Sequence, residues 1–187
     1  VSCSDESVES GEVPLDAYDV VDLILGLEKE NTSGIQAGQI YYKTFSSAMQ
    51  RALTSYSLYG GNIFVSGAYI GSDMSSSQGN REFTEKILKY GYQESLQENR
   101  SGGISGLGKT ISIPRLPNER SYAVTKPDCL VPLAPAFSVF SYLPGNQSAG
   151  VAFKGDYRTF VMGFPFESIE SEDDRASIMA SILKFFS

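Results

Sequence analysis

The chain carries no histidine in its 187 residues, which removes the side chain that most often serves as a general base or activates a serine or cysteine. The groups left for chemistry are carboxylates, phenols, hydroxyls and two thiols. Ser66 closes the apolar run Ile63, Phe64, Val65, where a nucleophilic serine could stand at a strand end. The hydrolase elbow, however, has the form G-x-S-x-G, and residue 64 is Phe. A base for Ser66 would have to be a Lys or a carboxylate, and no spacing indicates one. Ser66 is therefore expected to bind rather than to react. Tyr69, Asp73 and Glu167 also follow apolar runs and complete the set of ligand-binding candidates.

Other groupings have simpler explanations. Glu170, Glu172, Asp173 and Asp174 crowd together before a helical segment. Carboxylates at the positive end of a helix need no metal to explain them. Cys3 and Cys129 are far apart and outside any C-x-x-C spacing, whereas a zinc site needs about four N, S or O ligands. No metal and no cofactor is expected, and the pairing of the two cysteines is left open. Residues 103–110 read GISGLGKT and match the phosphate-loop pattern G-x-x-x-x-G-K-[ST]. That chemistry needs a strand before the loop and a helix after it. Here a polar stretch precedes, and Pro114 and Pro117 follow, so a Gly/Ser loop entering a β-strand is expected instead.

The elements that would position these groups follow from periodicity. Residues 20–25 and 63–65 are short apolar runs ending at Gly26 and at Ser66-Gly67, the mark of buried parallel strands. Thr44 is expected to cap a helix with Phe45, Met49, Ala52, Leu53 and Tyr56 on one face. Asn80 is expected to cap another, with Phe83, Ile87, Leu88 and Tyr90. From about 91 to 135 Gly and Pro are frequent, predicting an irregular insertion with β pieces at 110–113 and 121–124. Strands are expected at 139–142, 149–153 and 159–162, the last two joined by a turn at Gly155-Asp156. Ser171 then caps a helix with the apolar stripe Ile178, Met179, Ile182, Leu183 and Phe186. The alternation predicts an α/β three-layer sandwich, a mainly parallel sheet with helices on both faces. Ligands in such folds sit at the carboxyl ends of strands, which points to residues 26–31, 66–73 and 163–170.

Composition narrows the partners. A net charge of −7 repels phosphate backbones and anionic lipids, so neither nucleic acid nor a membrane surface is expected. No run reaches the roughly 18 apolar residues of a membrane-spanning helix. The N-terminal VSCSDES has no basic or apolar signal region, and it reads as the start of a processed or truncated piece. Asn31-Thr32-Ser33 and Asn146-Gln147-Ser148 are glycosylation acceptor patterns in a secretory setting and polar turns otherwise. Tyr41-Tyr42 and Phe164-Pro165-Phe166 could stack on sugar rings, but buried packing is the expected role.

Two segments carry a family resemblance. Residues 63–71, IFVSGAYIG, follow a strand with G-x-x-x-G, and residues 159–167, TFVMGFPFE, form a strand running into Phe164, Pro165 and Glu167. They resemble the nucleophile elbow and the F-H-P-E motif of class I glutamine amidotransferase-like, flavodoxin-like domains. In that alignment Tyr69 stands in the place of the cysteine, Pro165 in that of the histidine, and Glu167 matches the acid. Residues 18–26, 60–67, Pro127-Asp128, 163–169 and Arg175 are similar to the version found in secreted bacterial multidomain proteins labelled xanthan lyase.

The resemblance implies one amidotransferase-like domain over 1–187 that lacks the family's first strand. It also implies an extracellular or periplasmic location, and neighbouring domains of the same polypeptide or carbohydrate as partners. With Tyr69 and Glu167 as remnants of a dismantled site, it implies a non-catalytic packing or binding module. The alternative is a carbohydrate-active enzyme, a polysaccharide lyase or hydrolase, using Tyr69 with Glu167 or Asp73.

Overall fold

The computed structural model describes residues 1–31, 43–97 and 102–187. Among them the strands are β1 (Val20–Gly26), β2 (Asn62–Gly67), β3 (Tyr90–Ser95), β4 (Gly103–Gly106), β5 (Lys109–Ile111), β6 (Asp128–Pro132), β7 (Phe137–Leu143), β8 (Ser148–Lys154) and β9 (Arg158–Met162). The α-helices are α1 (Asp5–Glu9), α2 (Ser47–Leu58), α3 (Gln78–Phe83) and α4 (Glu172–Phe186). A π-helical turn, Thr84–Leu88, continues α3.

Seven strands form one curled sheet in the order β1-β2-β9-β8-β7-β4-β5. Only β1, β2 and β9 run parallel, with Val21 opposite Ile63 and Val65 opposite Val161. The remaining pairings, β9 with β8, β8 with β7, β7 with β4 and β4 with β5, are antiparallel. β3 and β6 make a separate two-stranded antiparallel sheet.

The expected parallel α/β sandwich is thus corrected to a mostly β, mixed architecture with few helices. The reason lies in what covers the sheet. Alternate residues along β2 and β9 feed opposite faces. Phe64, Phe160 and Met162 join a core closed by Ile178, Ile182 and Phe186 of α4, together with Ile111, Ile113 and Val124. Ile63, Val65 and Val161 join a core closed by Met49, Leu53 and Tyr56 of α2, together with Tyr90 and Leu130 of the small sheet. Both faces are buried, so the strands read as continuous apolar runs, but much of the cover is not helical.

The described residues between 91 and 135 are not an insertion beside the frame. β4 and β5 extend the main sheet, and β3 and β6 roof part of it. The expected strand at 121–124 is irregular chain, although Val124 is buried and its N–H donates to Pro114 O at 2.7 Å. The GISGLGKT segment is the β4–β5 hairpin, with Leu107 and Gly108 in left-handed turn conformations. Lys109 donates to Asp174 at 2.8 Å, which ties that hairpin to the start of α4.

Candidate functional site

The carboxyl ends of the parallel strands are sewn together by backbone groups. Ala68 N–H donates to Gly26 O at 2.8 Å, and Asp128 N–H reaches both Ala68 O and Gly163 O, at 3.0 and 3.1 Å. Tyr142 Oη donates to the carbonyls of Asp128 and Gly163, each at 3.1 Å. Gly163 is required here because a side-chain carbon would collide with the Asp128 carbonyl. The mouth where an α/β enzyme would hold its substrate is therefore crossed by the start of β6.

Asp128 is the organising residue, and it is fully buried. Its carboxylate accepts from Gly71 N (2.9 Å), Ser72 N (2.6 Å), Ser72 Oγ (2.9 Å) and Ser95 Oγ (2.7 Å). Burial pushes its pKa up, and the hydrogen bonds from Ser72, Ser95 and Gly71 work against that rise. The four donors hold the loop after β2 against β3 and β6. Sequence reasoning did not single out Asp128 as a site residue. The available signal was a carboxylate opening an otherwise apolar run, Cys129, Leu130 and Val131.

Tyr69 and Asp73 belong to that loop. Asp73 N–H donates to Tyr69 O at 3.0 Å. The Asp73 carboxylate accepts from Glu30 N (3.0 Å), Thr44 N (3.1 Å) and Thr44 Oγ1 (2.6 Å), so it pins the chain on either side of residues 32–42. The Tyr69 ring is half-buried, with Lys29 Nζ 5.2 Å from its centroid. Burial, then the Asp128 charge, pushes its phenol up from the ordinary value, away from the ionised form a proton-abstracting tyrosine needs.

Glu167 sits in a second cluster. Its Oε1 accepts from Tyr122 Oη at 2.5 Å, and its Oε2 is buried without a hydrogen-bond partner among the described residues. Asp22 of β1 is pushed up to about 6, first by desolvation and then by Glu167. Asp22 is nevertheless an exposed residue, so surrounding water tempers that effect. Tyr122 is pushed well up by burial and by its bond to Glu167. Ser66 lies within the sheet, fully buried, with its Oγ unpartnered among the described residues. Pro165 is buried and accepts from Ser168 N and Ser168 Oγ, closing a 3-10 turn.

The candidates thus divide between two hydrogen-bonded clusters. Tyr69 and Asp73 lie with Asp128, while Glu167 lies with Tyr122 and Asp22. Among the described residues no group of three or more Cys, Asp or Glu could hold a metal. Phe164 is buried and Phe166 packs edge-on to Phe64 at 5.8 Å, so these two rings serve the core. Tyr41, Tyr42 and most of the Asn31 acceptor pattern lie outside the described residues. Cys3 is exposed and Cys129 buried, both as free thiols.

No protein-family model matches the chain. No curated protein matches it. Among solved structures it matches one described as the mmIFT52 N-terminal domain, at 15% identity and a TM-score of 0.47, over 76% of this chain and 72% of that one. A likeness of that size assigns neither fold nor function. The amidotransferase-like, flavodoxin-like resemblance is corrected by the mixed, mostly β sheet, and no family model supports it. Nothing in the comparisons carries the xanthan-lyase label. No helix among the described residues is long and apolar enough to cross a membrane.

Proposed function

We propose that this chain is a non-catalytic module that binds another polypeptide. The observation that supports its non-catalytic half is how the polar groups at the strand ends are used. Asp128 is held by four donors and Asp73 by three, and Glu167 is engaged by Tyr122. A catalytic carboxylate must face its substrate within hydrogen-bond reach, whereas these carboxylates fasten loops. Tyr69, the remaining candidate, is pushed up rather than down.

The carbohydrate-active alternative needs Tyr69 to act with Glu167 or Asp73. Its support is limited to Glu167 Oε2, which has no hydrogen-bond partner among the described residues. The test is incubation with a panel of acidic polysaccharides, reading unsaturated product for a lyase and new reducing ends for a hydrolase. We expect the wild type and Tyr69→Phe to match the blank. Product formed by the wild type and lost in Tyr69→Phe would overturn the binding-module reading.

A further inference from the structure

An opening among the described residues runs beside the strand-end clusters and shares Asp22 and Thr44 with them. It is a groove of about 820 Å³ running along β1, bounded on the other side by residues 1–5 and by Val8, Val13 and Leu15. β1 is the outermost strand of the main sheet, and β2 is its one partner among the described residues. A strand with a free side presents a row of N–H and C=O groups ready to pair with another chain. Its charged residue, Asp22, protects it only in part. Ile24 is 65% exposed and Leu27 is 39% exposed, while Val21, Leu23 and Leu25 line the groove.

Charge says what would sit there. Nine of the first 31 residues are Asp or Glu and only Lys29 is basic, whereas the rest of the chain has 13 acidic and 14 basic residues. The excess of acidic residues thus lies in the N-terminal segment that contains this edge. Asp5, Glu9, Asp22 and Glu28 line the groove itself, against Lys29 and Lys43. Lys43 is 3.8 Å from Glu30, and Lys29 lies over the Tyr69 ring. Glu28 is pushed up to about 7 by burial and then by Asp5, Asp73, Glu6 and Glu9. These carboxylates repel one another, and an incoming cation would relieve them.

We propose that the edge of β1, open among the described residues, is a docking site for an extended, Lys- or Arg-bearing segment of a partner polypeptide, which pairs with β1 as an added strand. This rests on the reading of the chain as a binding module. Because successive residues of a strand point to opposite sides, the segment would alternate. Its apolar residues enter the groove beside Leu23 and Met49, and its basic residues pass on the face that carries Asp22. Main-chain pairing supplies affinity and the alternating side chains supply specificity. A second copy of this chain is the poorer occupant, because it would bring one acidic edge against another.

The test uses the full 187-residue protein and a fluorescein-labelled peptide of alternating Val and Lys, seven residues long to match β1. Two controls replace its Lys by Glu or its Val by Pro. We expect the Val/Lys peptide to bind, to weaken as salt rises from about 0.05 to 0.5 M, and to slow amide exchange at residues 20–26. The Glu peptide should not bind. The Pro peptide, which keeps the charge but loses the N–H donors of its Val positions and the extended pairing they allow, should bind about tenfold or more weakly.

Cys3 offers a second reading. It is exposed and lines the groove, whereas Cys129 is buried and pushed up to about 12, so maleimide should report on Cys3 and slow when the Val/Lys peptide is bound. Equal binding of the Pro peptide, protection elsewhere than 20–26, or no binding of the Val/Lys peptide would overturn the proposal. At pH 8, where Asp22 and Glu28 are charged, concentration-dependent self-association that protects 20–26 without peptide would overturn the choice of partner. Failure of peptide binding with no polysaccharide product removes the docking site alone. Product lost in Tyr69→Phe removes the underlying reading, whatever the peptide does.

Discussion

At the scale of residues, buried carboxylates act here as fasteners. Removing the Asp128 side chain leaves two backbone N–H groups and two hydroxyls without their acceptor. Asp128→Ala is expected to destabilise the protein by about 3 kcal/mol, read from urea unfolding. Asp128→Asn, which keeps an acceptor oxygen, should cost less. Glu28 makes a prediction of a different kind. Its folded-state pKa of about 7 lies above the ordinary 4.5, so between those values the folded protein binds more protons than the unfolded chain. Its contribution is stabilising below about 4.5 and is lost as pH rises through about 7. Glu28→Gln should flatten the fall in melting temperature across that window; an unchanged slope would show that other groups set it. The absence of histidine was legible at once and excluded imidazole chemistry. The partners of Asp73 and Glu167 were not legible, because Thr44 and Tyr122 stand 29 and 45 residues away.

At the scale of elements, local capping chemistry was readable where it did not compete with longer-range bonds. Ser171 caps α4 as expected, accepting from Asp174 N at 3.2 Å, and Ile178, Ile182 and Phe186 are buried. Ser171→Ala should cost about 1 kcal/mol, and Ile178→Ala about 3 kcal/mol from the buried core, both measurable by denaturation. Leu183 belongs to the expected stripe but is 51% exposed. Thr44 and Asn80 were expected caps, and neighbouring serines took both roles. Ser46 accepts from Met49 N and Ser77 from Asn80 N. Thr44 is drawn instead to Asp73, and Asn80 is buried with its carbonyl accepting from Gln50. Several cap-forming residues in succession leave the boundary to tertiary contacts. Strand type was similarly hidden. β8 is almost as buried as β2 and β9, so the same apolar run fits a parallel or an antiparallel neighbour. Only Gly155-Asp156, too short for a crossover, marked β8 and β9 as antiparallel.

At the scale of the whole molecule, the uneven distribution of charge matters more than the net value of −7. A half-apolar strand edge with Ile24 exposed is the kind of surface that drives chains together. Here that edge is bordered by Asp22 and Glu28, which makes each copy repel the same edge of another. We expect sedimentation velocity to show no dependence on protein concentration at pH 8. As pH falls, Glu28 loses its charge through about 7 and Asp22 after it, and association should appear by about pH 5. That result alone would be ambiguous, since the sequence pI is about 4.6 and any acidic protein loses its general repulsion near that pH. The double substitution Asp22→Asn with Glu28→Gln separates the two causes. It changes the net charge only from −7 to −5 while neutralising the edge, so association of the variant at pH 8 assigns the repulsion to β1. A variant that stays monomeric at pH 8 would mean that these two carboxylates do not guard the edge.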